Sequence, residues 1–505
     1  MRLIATLILI CSLLAFPRAA HAHLPAFGIH VIDRETRRGV PLIELKTTNE
    51  TRYYTDSGGW IAYDEPGLID GEVYFSVSGD GYEVAPDGFG NRGVRLNTSS
   101  GGRATIEVTR TMAAECLYRV TGEGIYRDSV LLGELAPTAK PLLNGRVMGQ
   151  DSVQAIVYRD RLLWCWGDTG RPEYPLGNFA SSGAWSALPS KGGLKPSVGV
   201  DLNYFVDDKR FSRGMVNIPG EGVKWIDGFM TLEDPAGKER LLAKCDRMKS
   251  LGEHLGRSMI IYDDATDLFR EEKTWPMDAP LAPLGQPFRY KTPDGIEYFY
   301  FPTPYPIVRV RAEWGAVHDP AQYEGFTCLT AGSKYDKEHP ALDRDAAGKL
   351  LWSWKKNTEA PNAQQQGELI SAKHIAADEA WIKTADADTS KPVLLWGGSV
   401  CWNSYRQRFV MIAQQMWGTP AALGEIWYAE SEVPEGPWPI ARKIATHQHH
   451  TLYNPVQHPF FDEDGGRVIY FEGTYSTLFA DKAVPTPRYD YNQMMYRLDL
   501  SKMAR

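Results

Sequence analysis

Two aspartates, Asp151 and Asp168, flank a short β-patterned hairpin and are the residues of this sequence best placed for acid–base chemistry. Two apolar runs, 153–158 and Arg161–Trp166, are joined by a two-residue turn. Such a turn pairs positions whose numbers sum to 319, so residue 151 faces residue 168. Directly opposite residues hold their Cβ atoms about 5 Å apart, where two like charges destabilise a sheet. The sequence therefore predicts a functional role for the pair.

A carboxylate pair at this spacing suits hydrolysis of a glycosidic bond. One carboxylate attacks the sugar or activates water while the other donates a proton, and a like charge nearby keeps one of them protonated. Carboxyl groups about 5 Å apart indicate retention and groups about 6.5–9.5 Å apart indicate inversion, so a hairpin pair favours retention. The alternative is structural, because aspartate also caps turns at strand ends, and a turn one residue longer would send the two side chains to opposite faces.

Asp227, in the stretch KWIDGF, is the third candidate catalytic residue. Its neighbours Trp225, Ile226 and Phe229 predict a strand, where a charged side chain is costly unless it is paired or functional. We expect Asp227 to tune the pKa of one member of the pair. The alternative is a strand aspartate that faces solvent.

The N-terminus has the features of a secretory signal: Arg2, an apolar run at 3–16 and the small-x-small sequence that ends at Ala22. We predict cleavage near Ala22, a protein secreted to the periplasm or the medium, and no membrane span. Removing Cys11 with the signal leaves five isolated cysteines, which predicts buried thiols rather than a disulfide framework.

The composition excludes one class of partner and favours another. The formal net charge is −8, and no basic stripe is present to neutralise phosphates, so no nucleic-acid partner is expected. The chain has 15 Trp and 25 Tyr, whose flat faces stack on sugar rings and also fill β cores. The composition therefore favours a polysaccharide or oligosaccharide ligand.

The β-patterned runs fall into two units. Short runs between 28 and 110, split by turn residues, predict a small antiparallel sandwich. Five strand sets then recur at the spacing of a propeller, at 147–168, 223–263, 288–329, 393–440 and 452–478. A polar insertion at 331–368 is expected to carry a helix near 345–354.

We predict an all-β protein with three segments. These are a signal peptide at 1–22, an N-terminal β-sandwich at 23–112 and a five-bladed β-propeller at 113–505. In the first unit, VIDRETRRGVPLIELKT, YYTDSGGWI and VYFSVSGDGYEV resemble the transthyretin-like, carboxypeptidase-regulatory-like domain. The resemblance implies an accessory module without catalytic residues.

Motifs in the second unit resemble five-bladed propeller glycosidases of the arabinanase and xylosidase type. VCWNSYRQRFVMI and GEIWYAESEVPEGPW carry this resemblance, while GQDS and LLWCWGDT resemble the first blade of a secreted family related to endo-D-arabinanases. The resemblance implies that carboxylates meet in a funnel at one end of a central channel. The chain departs from the arabinanase pattern, which places its three acids on three different blades, because here the clearest pair lies within one hairpin.

Six residues are expected to bind the substrate: Trp166, Trp225, Glu313, Tyr453, Asn454 and His458. The two tryptophans would stack on sugar rings, and the resemblance implies that a late-blade histidine lies at the channel axis beside a water or a calcium ion. The alternatives are a cross-strand ion pair of Glu313 with Arg309, Arg311 or Arg408, and a core histidine at 458. Further tryptophans that could stack on sugar or pack in the core are Trp164, Trp314, Trp402 and Trp427.

We predict no required cofactor and no metal site, with calcium at the propeller axis as the alternative. The run His447, His449 and His450 invites a metal, but no neighbouring Cys or Asp completes a ligand set. The predicted function is that of a secreted glycoside hydrolase acting on a polysaccharide. Its rivals are a non-catalytic carbohydrate-binding or cell-surface module whose acids hold calcium or cap turns, and a hydrolase of lactones or esters with a channel metal.

Overall fold

The computed structural model describes residues 25–481 and 484–503, and its architecture is all-β, as the sequence predicts. The signal peptide predicted at 1–22 lies outside the described residues. Within the described ranges, no helix is long and apolar enough to cross a membrane. The α-helices are α1 (Arg127–Leu131), α2 (Trp314–Val317) and α3 (Ala363–Ser371). Short 3-10 helices lie at Pro189–Lys191, Pro320–Gln322, Pro459–Phe461, Asp464–Gly466 and Leu500–Lys502.

Eight strands form the N-terminal unit: β1 (Phe27–Asp33), β2 (Glu44–Thr47), β3 (Arg52–Tyr54), β4 (Trp60–Tyr63), β5 (Glu72–Ser78), β6 (Tyr82–Glu83), β7 (Gly93–Asn97) and β8 (Arg103–Arg110). They make two four-stranded sheets with the orders β4-β1-β8-β6 and β3-β2-β5-β7. The prediction of a wholly antiparallel unit is wrong at one ladder, since β1 pairs with β8 in parallel. Alternating apolar residues mark a strand without marking its direction, which long-range packing sets.

Five larger sheets and one small side sheet make up the rest of the described chain, which begins with β9 (Glu115–Arg119). Sheet 1 has the strand order β11-β12-β15-β16 with a small side sheet β10-β13-β14, from β10 (Gly149–Gln150), β11 (Gln154–Tyr158), β12 (Arg161–Trp166), β13 (Thr169–Arg171), β14 (Tyr174–Asn178), β15 (Ser182–Ala187) and β16 (Asn203–Tyr204). Sheet 2 has the order β17-β21-β20-β19-β18, from β17 (Val216–Asn217), β18 (Val223–Glu233), β19 (Glu239–Ser250), β20 (Glu253–Asp263) and β21 (Leu268–Trp275).

The remaining three sheets complete the series. Sheet 3 is β22 (Phe288–Lys291), β23 (Glu297–Tyr300), β24 (Val308–Arg311), β25 (Glu324–Thr327) and β26 (Ser353–Lys356), paired in sequence order. Sheet 4 has the order β27-β31-β30-β29-β28, from β27 (Ala385–Asp386), β28 (Leu395–Asn403), β29 (Arg408–Gln415), β30 (Ile426–Ser431) and β31 (Ile440–Ala445). Sheet 5 has the order β32-β33-β34-β9, from β32 (Thr451–Gln457), β33 (Val468–Ser476) and β34 (Asn492–Asp499).

Hydrophobic clusters join each sheet to the next. Buried residues of sheets 1 and 2, of sheets 2 and 3, and of sheets 3 and 4 share one cluster for each pair. Another cluster joins sheets 4 and 5 to the N-terminal unit, and a fifth joins sheet 5 back to sheet 1. Strand β9 precedes the other strands of the five sheets in sequence yet pairs with the last strand, β34, so the start of the five-sheet region is fixed to its end.

The polar insertion and the cysteines test two sequence predictions about local structure. The helix expected near 345–354 is wrong, because Asp345 Oδ1 accepts the backbone N–H groups of Ala347 and Lys349 and closes a turn. The nearby helix is α3, which begins at a capping box formed by Asn362 and Gln365. All five cysteines of the described chain are buried and unpaired, as predicted.

Candidate active site

The hairpin that carries Asp151 and Asp168 has the register predicted from its turn. Pairs run from Tyr158 opposite Arg161 to Gln154 opposite Cys165, so every pair sums to 319. Both turn residues have positive φ, 49° and 60°, as a two-residue hairpin turn requires. Beyond the ladder, the Gly167 N–H donates to the Asp151 carbonyl at 2.8 Å, so the register slips by one residue at Ser152 and residue 151 lies opposite 167 rather than 168. The negative charge of Asp151 nevertheless acts on the carboxyl of Asp168. The two aspartates therefore lie beside each other at the same end of sheet 1.

This end of sheet 1 opens into a cavity of about 700 Å³ to which all five sheets contribute. Its walls include Asp151, Ser152, Gln154, Trp166, Asp168, Trp225, Asp227, Lys244, Asp246, Leu251, Gly285, Gln286, Thr303, Trp396, Gly397, Leu423, Tyr453, Asn454, Leu478, Phe479 and Tyr491. The volume is that of a site for a small ligand or a few sugar units. The three predicted catalytic aspartates thus share one cavity.

Asp151 has several hydrogen-bond donors. The Tyr453 hydroxyl donates to Asp151 Oδ2 at 3.0 Å, and the Ser152 hydroxyl donates to the same oxygen at 3.4 Å. Burial raises the pKa of Asp151, while hydrogen bonds from Tyr453 and Tyr491 oppose that rise. Oδ1 of the same carboxylate is buried and has no hydrogen-bond partner among the described residues. The donors on one side stabilise the carboxylate, and Oδ1 remains without a partner.

Asp168 has a different environment from its neighbour. Burial, followed by the negative charge of Asp151, raises its pKa to about 7. Its Oδ1 atom is buried without a hydrogen-bond partner in the described chain. Below neutral pH, Asp168 is therefore largely protonated beside a hydrogen-bonded Asp151, which is the division of roles that acid–base hydrolysis needs.

Asp227 is held by an ion pair across sheet 2. Its Oδ2 lies 3.6 Å from Nζ of the buried Lys244, and its Oδ1 accepts a hydrogen bond from Gln154 Nε2 at 3.2 Å. Lys244 also donates to Asp246 Oδ2 at 2.6 Å, so one ammonium serves two carboxylates. Burial raises the pKa of Asp227, and Lys244 opposes the rise. Through Gln154, the first residue of β11, Asp227 is linked to the hairpin of Asp151.

Residues with positive φ occur in or beside all five sheets, at or next to the cavity wall. They include Ser152 (φ 52°), Gly228 (φ 70°), Gly285 (φ 64°), Gly397 (φ 61°) and Asn454 (φ 50°). In β18, β28 and β32 the ladder register also shifts beside these residues. A bulge redirects a strand and its side chains, and such irregularities concentrate at functional sites. At the cavity, these strands therefore depart from regular ladder pairing.

Four of the six predicted substrate-binding residues line the cavity: Trp166, Trp225, Tyr453 and Asn454. Glu313 lies elsewhere, with 64% of its side chain exposed and Oε1 3.9 Å from Arg311 Nη1, which is the ion-pair alternative. Its sequence position at the end of a sheet 3 strand gave no information about which end of the sheet faces the cavity. Trp402 and Trp427 are also absent from the walls described above.

His458 is fully buried and lies outside the cavity walls. Its Nε2 is 3.2 Å from Glu472 Oε1, and the hydrogen-bonding capacity of both side chains is unmet in the described chain. Calcium takes six to eight oxygen ligands, whereas this pair offers one carboxylate and an imidazole. The described residues contain no group of three His, Cys, Asp or Glu side chains that could hold a metal. The donor set at His458 therefore does not fit a calcium site.

Several cavity residues were not predicted from the sequence. Lys244 and Asp246 come from β19, the partner strand of β18, and Tyr491 precedes β34. Trp396 precedes a glycine pair inside a strand, which is a sequence signal for a bulge. From the sequence, that glycine pair was the signal that could have placed Trp396 at the site.

Comparisons with known proteins give only distant likenesses. No family model and no curated protein matches the chain. An exo-β-1,3-galactanase from Phanerochaete chrysosporium is 8% identical, with 72% of this chain and 65% of that chain covered and a TM-score of 0.37. An exo-1,5-α-L-arabinanase from a bovine ruminal metagenomic library is 8% identical, with 70% and 94% covered and a TM-score of 0.35. A GH43_1 enzyme from Xanthomonas citri is 10% identical, with 70% and 87% covered and a TM-score of 0.33.

These alignments carry no argument about fold or activity, since all three TM-scores lie below 0.5. The chain spans about two thirds of the length of the Phanerochaete enzyme. What the site can do therefore follows from its own residues: a carboxyl group of raised pKa, a hydrogen-bonded neighbouring carboxyl and aromatic side chains around one cavity.

Proposed function

We propose that this protein is a glycoside hydrolase that cleaves a polysaccharide in the cavity, with Asp168 as the general acid and Asp151 as the nucleophile. The observation that carries the proposal is the contrast between two neighbouring carboxyl groups. Asp168 has a pKa raised to about 7 and no tyrosine donor among the described residues, whereas Asp151, whose pKa burial also raises, receives hydrogen bonds from tyrosine hydroxyls that oppose its rise. A proton donor beside a stabilised carboxylate is the pair that this hydrolysis uses.

The proposed steps use only side chains of the cavity. Asp168 gives its proton to the glycosidic oxygen as the bond to the leaving sugar breaks, and Asp151 attacks the anomeric carbon. Water then displaces Asp151 while Asp168, now ionised, takes the proton from that water. Asp227 tunes the pair electrostatically, through its ion pair with Lys244 and its hydrogen bond from Gln154. Because the pair belongs to one hairpin, we propose retention of anomeric configuration.

The proposal includes the fold and the setting. The five sheets, joined in sequence by shared cores and back to the start by β9, support a five-bladed β-propeller at 113–505. The two sheets of the N-terminal unit support an accessory β-sandwich at 23–112. Cleavage near Ala22 and secretion complete this picture, and the partner is a polysaccharide rather than nucleic acid.

The test is a screen of the secreted form, residues 23–505, against arabinan, xylan, galactan and polygalacturonate. Released reducing ends are measured and the anomer of the first product is followed by NMR. We expect release from at least one neutral polymer, a product of retained configuration, and a loss of about 10²- to 10⁴-fold in Asp168→Asn. Asp278→Asn, which alters an exposed aspartate, is the matched control. Wild-type turnover by Asp168→Asn would remove the assignment.

The same screen separates the rival function. A carbohydrate-binding module would be retarded on a glycan gel without releasing reducing ends. Calcium would raise the melting temperature of the wild type but not that of Asp168→Asn. We propose that the reaction needs no cofactor, so turnover should be equal in EDTA and in calcium.

A further inference from the structure

Trp396 is a large apolar side chain that remains partly open to solvent at the mouth of the cavity. It lies near the start of β28, is 46% exposed and contributes to the cavity wall. Exposed tryptophan surface loses the stabilisation that burial gives, about 25 cal/mol per Å² of apolar area. Its position at a cavity mouth leaves the ring available to a ligand that covers it.

The backbone beside Trp396 is built to hold it there. Trp396 pairs with Gln414 and Gly398 pairs with Ala413, so Gly397 is an extra residue that bulges out of the ladder. A Cβ atom on Gly398 would lie 2.4 Å from the Ile412 carbonyl oxygen, and Gly398 has φ 152°. Only glycine fits this position. A bulge alters the direction of the side chains next to it, and Trp396 is the neighbour on the cavity side.

Other apolar side chains at the mouth are also exposed. Phe479 is 62% exposed and Leu478 is 48% exposed, and both lie in the segment that follows β33 of sheet 5. Leu251, from the β19–β20 turn of sheet 2, is 82% exposed. All three line the same cavity as Trp396. The mouth therefore offers apolar surface on more than one side, while the carboxyl groups lie within.

The charge of the cavity restricts what this surface binds. Its wall contains four carboxyl groups, Asp151, Asp168, Asp227 and Asp246, and one ammonium, Lys244. Lys244 is already paired with Asp227 and Asp246. A ligand that carries carboxylate or sulfate groups would meet repulsion without a free cation to offset it. A neutral sugar, whose ring has an apolar C–H face, suits both the charge and the aromatic mouth.

We propose that Trp396 is a stacking residue for sugar units of a neutral glycan chain that extend beyond the bond being cleaved. This inference rests on the proposed glycosidase function. It assigns Trp396 to recognition of chain length and leaves the catalytic steps to the aspartates. The bound sugar unit would lie over the indole face at the sheet 4 side of the mouth.

The experiment compares Trp396→Ala with Trp402→Ala. Trp402 is on the same strand and is 40% exposed, but it contacts Phe409 and contributes nothing to the cavity wall described above. The substrates are the neutral polymer that the wild type cleaves best and the shortest oligosaccharide prepared from it that is still cleaved. We expect Trp396→Ala to lose about fivefold to tenfold in kcat/KM on the polymer, mainly through KM, and less than twofold on the short substrate. Trp396→Tyr should restore most of the loss.

Two results would overturn the inference: equal polymer kinetics in Trp396→Ala and Trp402→Ala, or an equal loss on short and long substrates. Failure of the hydrolase proposal is separately visible, since the wild type itself would then release no reducing ends. In that case, affinity electrophoresis in gels that contain arabinan, xylan or galactan tests Trp396 alone. If Trp396→Ala is no longer retarded while the wild type and Trp402→Ala are, the stacking role is supported. If Trp396→Ala is retarded as strongly as the wild type, the stacking role is rejected.

Discussion

Replacing Asp168 with asparagine should stabilise the protein at neutral pH while it removes activity. The pKa of Asp168 is raised from its ordinary value of 3.8 to about 7 by burial and by the charge of Asp151. Between these values the unfolded chain ionises this carboxyl while the folded chain keeps it protonated, so stability falls as pH rises from about 4 to about 7. The amide side chain introduced by Asp168→Asn cannot ionise. The stability of this variant therefore does not fall over that pH range through this group.

The size of the effect follows from the same pKa. A rise from 3.8 to about 7 corresponds to at most about 4 kcal/mol, at 1.36 kcal/mol per pKa unit. Asp168 is only partly buried, so solvent screening reduces this to about 2 kcal/mol. With an unfolding entropy of about 2.1 cal/mol/K per residue, the 505-residue chain has about 1 kcal/mol/K. The expected difference in melting temperature is about 2 °C.

The assay is differential scanning fluorimetry of the wild type, Asp168→Asn and Asp278→Asn from pH 4 to pH 9. The melting temperature of Asp168→Asn should equal that of the wild type near pH 4, exceed it increasingly up to about pH 7, and keep a constant advantage above that. Asp278→Asn, on an exposed aspartate, should follow the wild type throughout. A pH-independent difference between Asp168→Asn and the wild type would refute the argument that Asp168 is protonated in the folded cavity.

Three further predictions follow from the cavity. Tyr453→Phe removes the hydroxyl that donates to Asp151, so the pKa of Asp151 rises and the acid limb of the kcat/KM profile moves to higher pH; an unmoved limb contradicts this. Lys244→Met leaves Asp227 and Asp246 without their shared ammonium and should lower the free energy of unfolding by about 3–5 kcal/mol in urea titrations. Its control, Lys249→Met, alters an exposed pair on the same strand and should cost less than about 1 kcal/mol. EDTA should leave turnover unchanged, and loss of activity that calcium restores would contradict the cofactor-free mechanism.

The hairpin register was predictable because its information is local. Two turn residues fix the pairing from Gln154 to Cys165, so Asp151 and Asp168 could be placed at the same end of the hairpin from the sequence, whereas the one-residue slip at Ser152 could not. The same applies to the strand sets, whose apolar alternation is read within a few residues. The position of a strand within a sheet is a different kind of information. Strand β9 pairs with β34, at the far end of the chain, and nothing near Glu115 in the sequence indicates this partner.

The remainder of the cavity could not be predicted for the same reason. Lys244 reaches the cavity because β19 is the neighbour of β18, and Tyr491 because its side chain, just before β34, hydrogen-bonds Asp151. Which end of each sheet faces the cavity depends on packing between sheets. Glu313 and His458 were therefore expected at the substrate but lie in an exposed ion pair and a buried pair with Glu472.

The central claim is that Asp168 supplies a proton and Asp151 supplies the attacking carboxylate. The most direct measurement is kcat/KM of Asp168→Asn and Asp151→Asn on the cleaved polymer and on the 2,4-dinitrophenyl glycoside of the released sugar. That leaving group departs without a proton donor, so Asp168→Asn should lose about 10²- to 10⁴-fold on the polymer and little on the aryl glycoside. Asp151→Asn should lose activity on both. Equal losses of Asp168→Asn on the two substrates, or an active Asp151→Asn, would contradict the account.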